Sequence, residues 1–304
     1  MSGRAVVIGD ALIDELRDDT GLREFVGGAG LNVAVGLARL GVPTTLIAMV
    51  GDDDAGARIR TFLSDFGVEL LGTPAPHGSS RAVSTRSGGG EPVYEFNQAA
   101  QERRIVFGDV EREAIAAADM VVVSCFPFDD TAQTEDLAGA VAGHGALAID
   151  PNPRTGMMHD TAEFVRGFEA LAAGAALVKV GDDDAGILYD QPLDALRARL
   201  VDLGVTAVLA TEGPSGATIE AGPIVVTRPV SDLPGRIVDT MGAGDAVLAA
   251  TAAAVIAEAP ATQEEWAAVL ERAMDVAAAT CRYEGALLRL PESLRSEDLD
   301  RIGT

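Results

Sequence analysis

Short runs of apolar and β-branched residues recur along the chain, at Ala5 to Ile8, Thr44 to Val50, Met120 to Ser124, Ala146 to Asp150, Ala175 to Val180 and Thr206 to Ala210. Each has the length and composition of a strand covered on both faces. Between them, Asn32 to Leu40, Ala57 to Phe66, Glu135 to Ala142, Ala162 to Ala172 and Leu193 to Leu203 carry apolar residues three or four apart, the spacing of an amphipathic helix. This alternation predicts right-handed crossovers and an α/β fold with a mostly parallel central sheet between helices. Ligands then bind beyond the carboxyl ends of the strands.

One stretch breaks the rhythm. Arg81 to Ser87 and Val93 to Asn97 read as strands around a Gly88 to Pro92 turn. With Leu12 to Phe25 they can form a small antiparallel sheet standing off the main layer as a lid; an ordinary surface hairpin is the other reading. The stretches from Gly244 to Ala257 and Glu264 to Thr280 are alanine-rich and helical, and are expected to pack closely. The heptapeptide Val-Gly-Asp-Asp-Asp-Ala-Gly occurs at Val50 to Gly56 and again at Val180 to Gly186. Each copy closes a strand and opens a helix, where aspartates cap free amides.

Composition narrows the function classes. The chain has 304 residues, 48% hydrophobic and 23% charged, enough to bury a full core. A net charge of -24 repels nucleic-acid backbones and anionic lipids, so neither is an expected partner. A small phosphate compound still binds if backbone amides and a divalent cation supply local positive potential. Cys125 and Cys281 form neither a disulfide framework nor a zinc cluster. No leader or membrane-length apolar run is visible, so the expected compartment is the cytoplasm. The single lysine, Lys179, excludes a GxxxxGK[ST] phosphate loop.

Candidate chemistry lies in three glycine- or aspartate-bearing segments. Asp239-Thr240-Met241-Gly242-Ala243-Gly244-Asp245 precedes a long apolar helix. Its small residues let backbone amides converge on an anion at a helix N-terminus. Asp245 can take a proton from a hydroxyl held beside that anion, or it can simply cap the helix. Gly27-Gly28-Ala29-Gly30-Leu31-Asn32 also enters a helix but lacks the GxGxxG spacing of a dinucleotide turn. Its glycines admit a neutral polar ligand, and the Asn32 amide both donates to and accepts from hydroxyls. Gly9 to Asp14 ends the first strand, where Asp14 can bind two hydroxyls or stay solvated.

In this order the three segments resemble the ribokinase-like (PfkB) family of carbohydrate kinases, from about Ala5 to Pro291. The resemblance implies one ribokinase-like domain over residues 1–304, with a lid from about 11–26 and 80–100. It implies Asp245 as catalytic base beside an anion hole of Gly242, Ala243 and Gly244, and Asp14, Gly27, Gly28 and Asn32 as sugar contacts. Thr211, Gly213, Gly216 and Lys179 fall on its nucleotide side. Asp150-Pro151-Asn152-Pro153-Arg154 is similar to the DxNxR run of fructokinase-like and ketodeoxygluconate-kinase-like members, with Asn152 and Arg154 near the phosphate path. The chain departs from the family after Lys179, where an Asn-x-x-Glu pair is replaced by Gly181 and Asp184. That leaves Asp184, or Asp183, to serve the metal.

The resemblance implies a kinase that moves the γ-phosphoryl of magnesium-ATP to a sugar hydroxymethyl group. Fructose or a related ketose comes first; ribose, a ketodeoxy sugar acid and a nucleoside are alternatives. A phosphorylated sugar is kept open by Arg81, Arg86 and Arg103 near the lid. A non-catalytic sugar or nucleoside sensor is the rival of another class. A monovalent cation is a further candidate cofactor, and open lid edges suit a homodimer.

Overall fold

A computed structural model describes residues 3–18, 21–85 and 93–295. The strands are β1 (Ala5–Gly9), β2 (Leu12–Asp18), β3 (Gly21–Gly27), β4 (Thr44–Met49), β5 (Glu69–Thr73), β6 (Ser80–Thr85), β7 (Val93–Phe96), β8 (Met120–Ser124), β9 (Leu147–Asp150), β10 (Leu177–Gly181), β11 (Val208–Thr211), β12 (Ala217–Ala221) and β13 (Ile224–Arg228). The helices are α1 (Ala29–Arg39), α2 (Asp54–Asp65), α3 (Gln98–Gln101), α4 (Asp109–Ala116), α5 (Thr131–Ala140), α6 (Thr161–Ala172), α7 (Asp182–Tyr189), α8 (Leu193–Asp202), α9 (Ala243–Glu258) and α10 (Gln263–Thr280).

The main sheet runs β13-β12-β11-β10-β9-β8-β1-β4-β5. Its pairs are parallel from β11 to β5, and the β12–β13 hairpin adds an antiparallel edge. The apolar runs supply the parallel strands, as their pattern predicts. The edge strands β5 and β13, half open to solvent, carry mixed sequence and do not stand out in the pattern, nor does β12 between β11 and β13. From β1 the chain builds outward to β4 and β5, then returns to lay β8 on the other side of β1. The strand order therefore reverses at β1 and β8, which opens a crevice beyond their carboxyl ends.

A second sheet has the order β3-β2-β6-β7. The expected antiparallel arrangement is corrected at its centre: β2 and β6 run parallel, with Leu12 opposite Ser80, while β2–β3 and β6–β7 are antiparallel. Two hairpins thus meet side by side. Residues 86–92, which hold Arg86 and the expected glycine turn, lie outside the described residues.

Two apolar layers clothe the main sheet. On one face, α1, α9 and α10 pack through small side chains, as the alanine-rich pattern predicts. A methyl on Gly36 of α1 would come within 2.9 Å of the Ala249 Cβ and 3.0 Å of Leu288, so that glycine sets the closeness of α1 to α9. On the other face, Phe128 is fully buried and meets Phe126, Phe164 and Phe168 edge to face, with centroids 5.4, 5.4 and 5.9 Å away.

The repeated heptapeptide caps in two registers. In the first copy Asp53 is the N-cap of α2, accepting from the Gly56 amide at 2.8 Å, with the Ser79 hydroxyl donating to the same oxygen at 2.7 Å. In the second, Gly181 is the N-cap and Asp184 reaches back to accept from its amide at 2.6 Å. The same residues therefore leave a different carboxylate inside the second turn.

Phe128→Ala should lower unfolding stability by roughly 3–5 kcal/mol, the transfer and cavity cost of a buried aromatic. Chemical denaturation measures it, and a change below about 1 kcal/mol would remove the cluster from the core.

Candidate active site

The crevice at the sheet's carboxyl end is walled by two helix N-termini, those of α1 and α9. Gly242 is the N-cap of α9 with φ 75, and a methyl there would come within 2.6 Å of the Ala286 carbonyl oxygen, so only glycine fits. Asp239 fixes this loop, accepting from the Met241 amide at 3.0 Å and the Gly285 amide at 3.1 Å. Of the three amides expected to form an anion hole, one has a partner within the loop. The Ala243 amide donates to the Thr240 carbonyl at 3.2 Å. The amides of Gly242, Gly244 and Asp245 have no acceptor among the described residues and face the region where the dipole of α9 is positive.

At α1 the glycines serve the protein's own chain. A methyl on Gly28 (φ 106) would come within 2.9 Å of the Asp10 carbonyl oxygen, and one on Gly30 within 2.8 Å of the Asp10 amide nitrogen. Asp10 answers twice: its carboxylate accepts from the Gly30 amide at 2.9 Å and its carbonyl from the Leu31 amide at 3.0 Å. A methyl on Gly27 would overlap the Asp14 carboxylate. Gly27 and Gly28 thus let Asp14 and the strand end after β1 sit close to the helix.

Asn32 and Asp245, drawn from segments more than two hundred residues apart, meet directly. The Asn32 Nδ2 donates to Asp245 Oδ2 at 2.8 Å. That bond leaves Asp245 Oδ1 open. Burial raises the Asp245 pKa against the opposing pulls of Asn32, Lys179 and Arg154. Asp14 is pushed up to about 7 by burial and by Asp10, and Asp10 is itself raised by burial.

Two buried carboxylates that the sequence reading did not single out complete the centre. Asp10 stands one residue past β1, at the point where the strand order reverses, a position that signals a site in any such sheet. Asp150, with no exposed surface, ends β9 beside Lys179 of β10, whose Nζ lies 3.3 and 3.4 Å from its carboxylate oxygens. Lys179 stays charged: burial opposes the ammonium, but Asp150, Asp184 and Asp245 outweigh it. The chain reverses sharply at the ends of β8 and β9, where Cys125 (φ 53) and Asn152 (φ 41) hold left-handed backbone.

The cations divide into engaged and open. Arg81 pairs with Glu24 at 2.9 Å and approaches Glu15 at 3.8 Å. Arg103 donates to the carbonyls of Ala100, Cys125 and Met157. Arg154 donates no side-chain hydrogen bond among the described residues, and Asp245, Asp10 and Asp150 surround it electrostatically. The exposed Arg104, at the cavity beside Asp10, likewise has no hydrogen-bonded partner among the described residues.

On the far side of Lys179, the absent Cβ of Gly181 leaves a gap, with the Thr211 hydroxyl 3.1 Å and Asp184 3.7 Å from where it would sit. Thr211 donates to the Val180 carbonyl at 3.3 Å. Gly216 (φ 106) abuts the Arg228 carbonyl so closely that a side chain would overlap it, whereas Gly213 (φ 50) faces open space. Asp184 is buried, with its pKa pushed up to about 6 by burial, while Asp183 lies exposed on the first turn of α7 and does not join the group. Free amides at a helix N-terminus beside an open arginine fit a polyphosphate. For a divalent ion the fit is limited to one carboxylate, since no set of three metal-ligating side chains exists among the described residues. A magnesium ion held mainly by phosphates and water needs no more.

No helix among the described residues is long and apolar enough to cross a membrane. The sequence model of the pfkB family carbohydrate kinases matches residues 4–293. A fructokinase of Rhizobium leguminosarum bv. trifolii is 29% identical over 280 residues, covering 88% of this chain and 84% of that protein. An ATP-dependent 6-phosphofructokinase of Thermoanaerobacterium thermosaccharolyticum is 25% identical over 303 residues, covering 94% and 90%. The crystal structure of a Vibrio cholerae fructokinase, with fructose, ADP and calcium bound, superposes with a TM-score of 0.79 at 22% identity, covering 94% of this chain and 95% of that one. That last likeness concerns the fold.

Asp14 provides a test of the site's electrostatics. Its folded pKa of about 7 lies above the ordinary 3.8, so between those values the unfolded chain binds fewer protons and stability falls as pH rises. Above pH 7 the cost of the buried charge is fully present. Asp14→Asn should therefore melt higher than the parent at pH 8, by roughly 1–3 kcal/mol of stability, with the difference vanishing below pH 4. Equal melting curves at both pH values would show Asp14 to be well solvated.

Proposed function

As the chain belongs to the pfkB family of carbohydrate kinases, ATP-dependent enzymes, we propose that its acceptor is an uncharged ketose, fructose, phosphorylated on a hydroxymethyl group. The observation that carries this reading is the charge of the acceptor side. Asp10 and Asp14 are raised-pKa carboxylates there, while Arg81 is neutralised by glutamates and Arg103 is bound to carbonyls. A sugar phosphate would meet two acids there, with Arg104 at the cavity and Arg154, which acts on both Asp10 and Asp14, as the cations without a hydrogen-bonded partner among the described residues. A neutral polyol meets good hydrogen-bond acceptors. A small cavity beside Asp10, lined by Gly9, Ser80, Arg103, Arg104, Cys125 and Phe126, extends the same region.

In this reading Asp14 and Asp10 hold sugar hydroxyls, and Asn32 holds Asp245 in position. Asp245 accepts the proton of the hydroxymethyl group through its open Oδ1 as the oxygen attacks phosphorus. The amides of Gly242, Gly244 and Asp245, with Arg154, bind the oxygens of the moving phosphoryl group before and after transfer. Thr211, Gly213 and Gly216 line the nucleotide side. Asp184, buried beside Thr211, is the better candidate than Asp183 to orient water on magnesium, which enters with the nucleotide and neutralises phosphate charge.

ADP release, measured with ATP and magnesium over fructose, fructose 6-phosphate, ribose, 2-keto-3-deoxygluconate and a nucleoside, tests the acceptor. Fructose should give the highest kcat/KM; a preference for fructose 6-phosphate would overturn the charge argument. Asp245→Asn should bind ATP normally and lose kcat by about 10² to 10⁴, the usual contribution of a general base. Retention of half the activity would return Asp245 to a capping role. For Asp184→Asn, the magnesium concentration at half-maximal rate should rise while the fold persists, and an unshifted midpoint would leave Asp184 a helix cap.

A further inference from the structure

Lys179 stands on the nucleotide side in sequence, yet its ammonium is not offered to the cleft. Only 8% of the residue is exposed. The parallel register of β9 and β10 pairs Val178 with Ile149, which sets Lys179 beside Asp150, and Nζ lies 3.3 and 3.4 Å from both oxygens of that wholly buried carboxylate. Above the pair runs the first turn of α9. A methyl on Gly244 would stand 3.3 Å from Nζ and 3.5 Å from Cε, so the ammonium lies directly under the residue that precedes Asp245.

The groups around Asp245 make a fixed cation there consequential. Asn32 of α1 bonds it directly, and Lys179 of β10, Arg154 of the turn after β9 and Asp10 of the turn after β1 act on its charge. Asp14 of β2 and Asp150 at the end of β9 also interact with its charge. Arg154 is open to the cleft and shares its charge with any bound phosphate. Lys179 is locked in place and shares its charge with protein alone. We propose that Lys179 is a positioning residue acting through Asp245: held by Asp150 beneath Gly244, its ammonium keeps Asp245 ionised among neighbouring carboxylates. The inference rests on Asp245 as the base, and Asp245→Asn tests that reading separately.

Because the chain has one lysine, protein grown with ¹⁵N-lysine gives a single Nζ signal. In the protein without ligands that signal should persist as a slowly exchanging ammonium and move in a step with pH as Asp245 ionises. The component that belongs to Asp245 should be absent in Asp245→Asn, leaving the contributions of Asp150 and Asp184. A rapidly exchanging signal, no step, or the same step in Asp245→Asn would overturn the proposal, whatever the acceptor proves to be. Kinetics with fructose and ATP give the second arm. In Lys179→Met paired with Asp150→Asn, which removes the ion pair as a unit, the acid limb of kcat should lie about one pH unit above that of Asp150→Asn alone, the comparison that isolates the ammonium, with KM for ATP within about twofold. An unmoved limb, or a rise confined to the KM for ATP, would overturn it, the latter by making Lys179 a nucleotide contact. A melting curve of the double variant establishes that it is folded at the assay temperature.

Discussion

The site is governed by crowding of like charge. Asp10, Asp14, Asp150, Asp184 and Asp245 gather at one end of the sheet, each carrying a raised pKa, in a chain whose net charge is already -24. Buried carboxylates remain ionised only where cations, amides or hydrogen bonds compensate them. Lys179 and Arg154 supply the cations, and the N-termini of α1 and α9 supply oriented amides. The architecture can be understood as the means of bringing those compensating groups within reach.

Close backbone approach is what makes that possible. Gly28 and Gly30 let α1 begin against Asp10, and Gly242 lets α9 begin against Ala286. Side chains at these positions would push two helix termini outward and remove their amides from the cleft. The alanine-rich contact of α1 with α9, set by Gly36, carries the same closeness through the layer behind the site. Catalytic geometry and core packing are therefore parts of one constraint.

The compensation is uneven across the cleft, and that asymmetry bears on chemistry. Toward the small sheet, Arg81 and Arg103 are engaged by glutamates and carbonyls, and the acids Asp10 and Asp14 carry raised pKa values. Toward α9, free amides and an open arginine remain. A neutral polyol suits the first region and a polyphosphate the second, and Asp245 stands between them with one oxygen held by Asn32.

By itself the sequence determined the parallel strands, the principal helices and the three glycine- or aspartate-bearing segments, because these depend on local periodicity and on residue types with narrow conformational uses. It also showed Asp245, Asn32 and Asp14 as chemical candidates. The parallel meeting of β2 with β6, the edge strands and the different capping registers of two identical heptapeptides were decided only in three dimensions, since each depends on a neighbour distant in sequence. The same holds inside the site. That Ala243 turns its amide to Thr240, that Gly27 and Gly28 make room for Asp14 and Asp10, that Asp184 is buried while Asp183 is exposed, and that Lys179 faces Asp150 all follow from strand register and helix placement. Residue types announce which chemistry is available, but burial and proximity decide which group is charged, which is engaged and which is left to act.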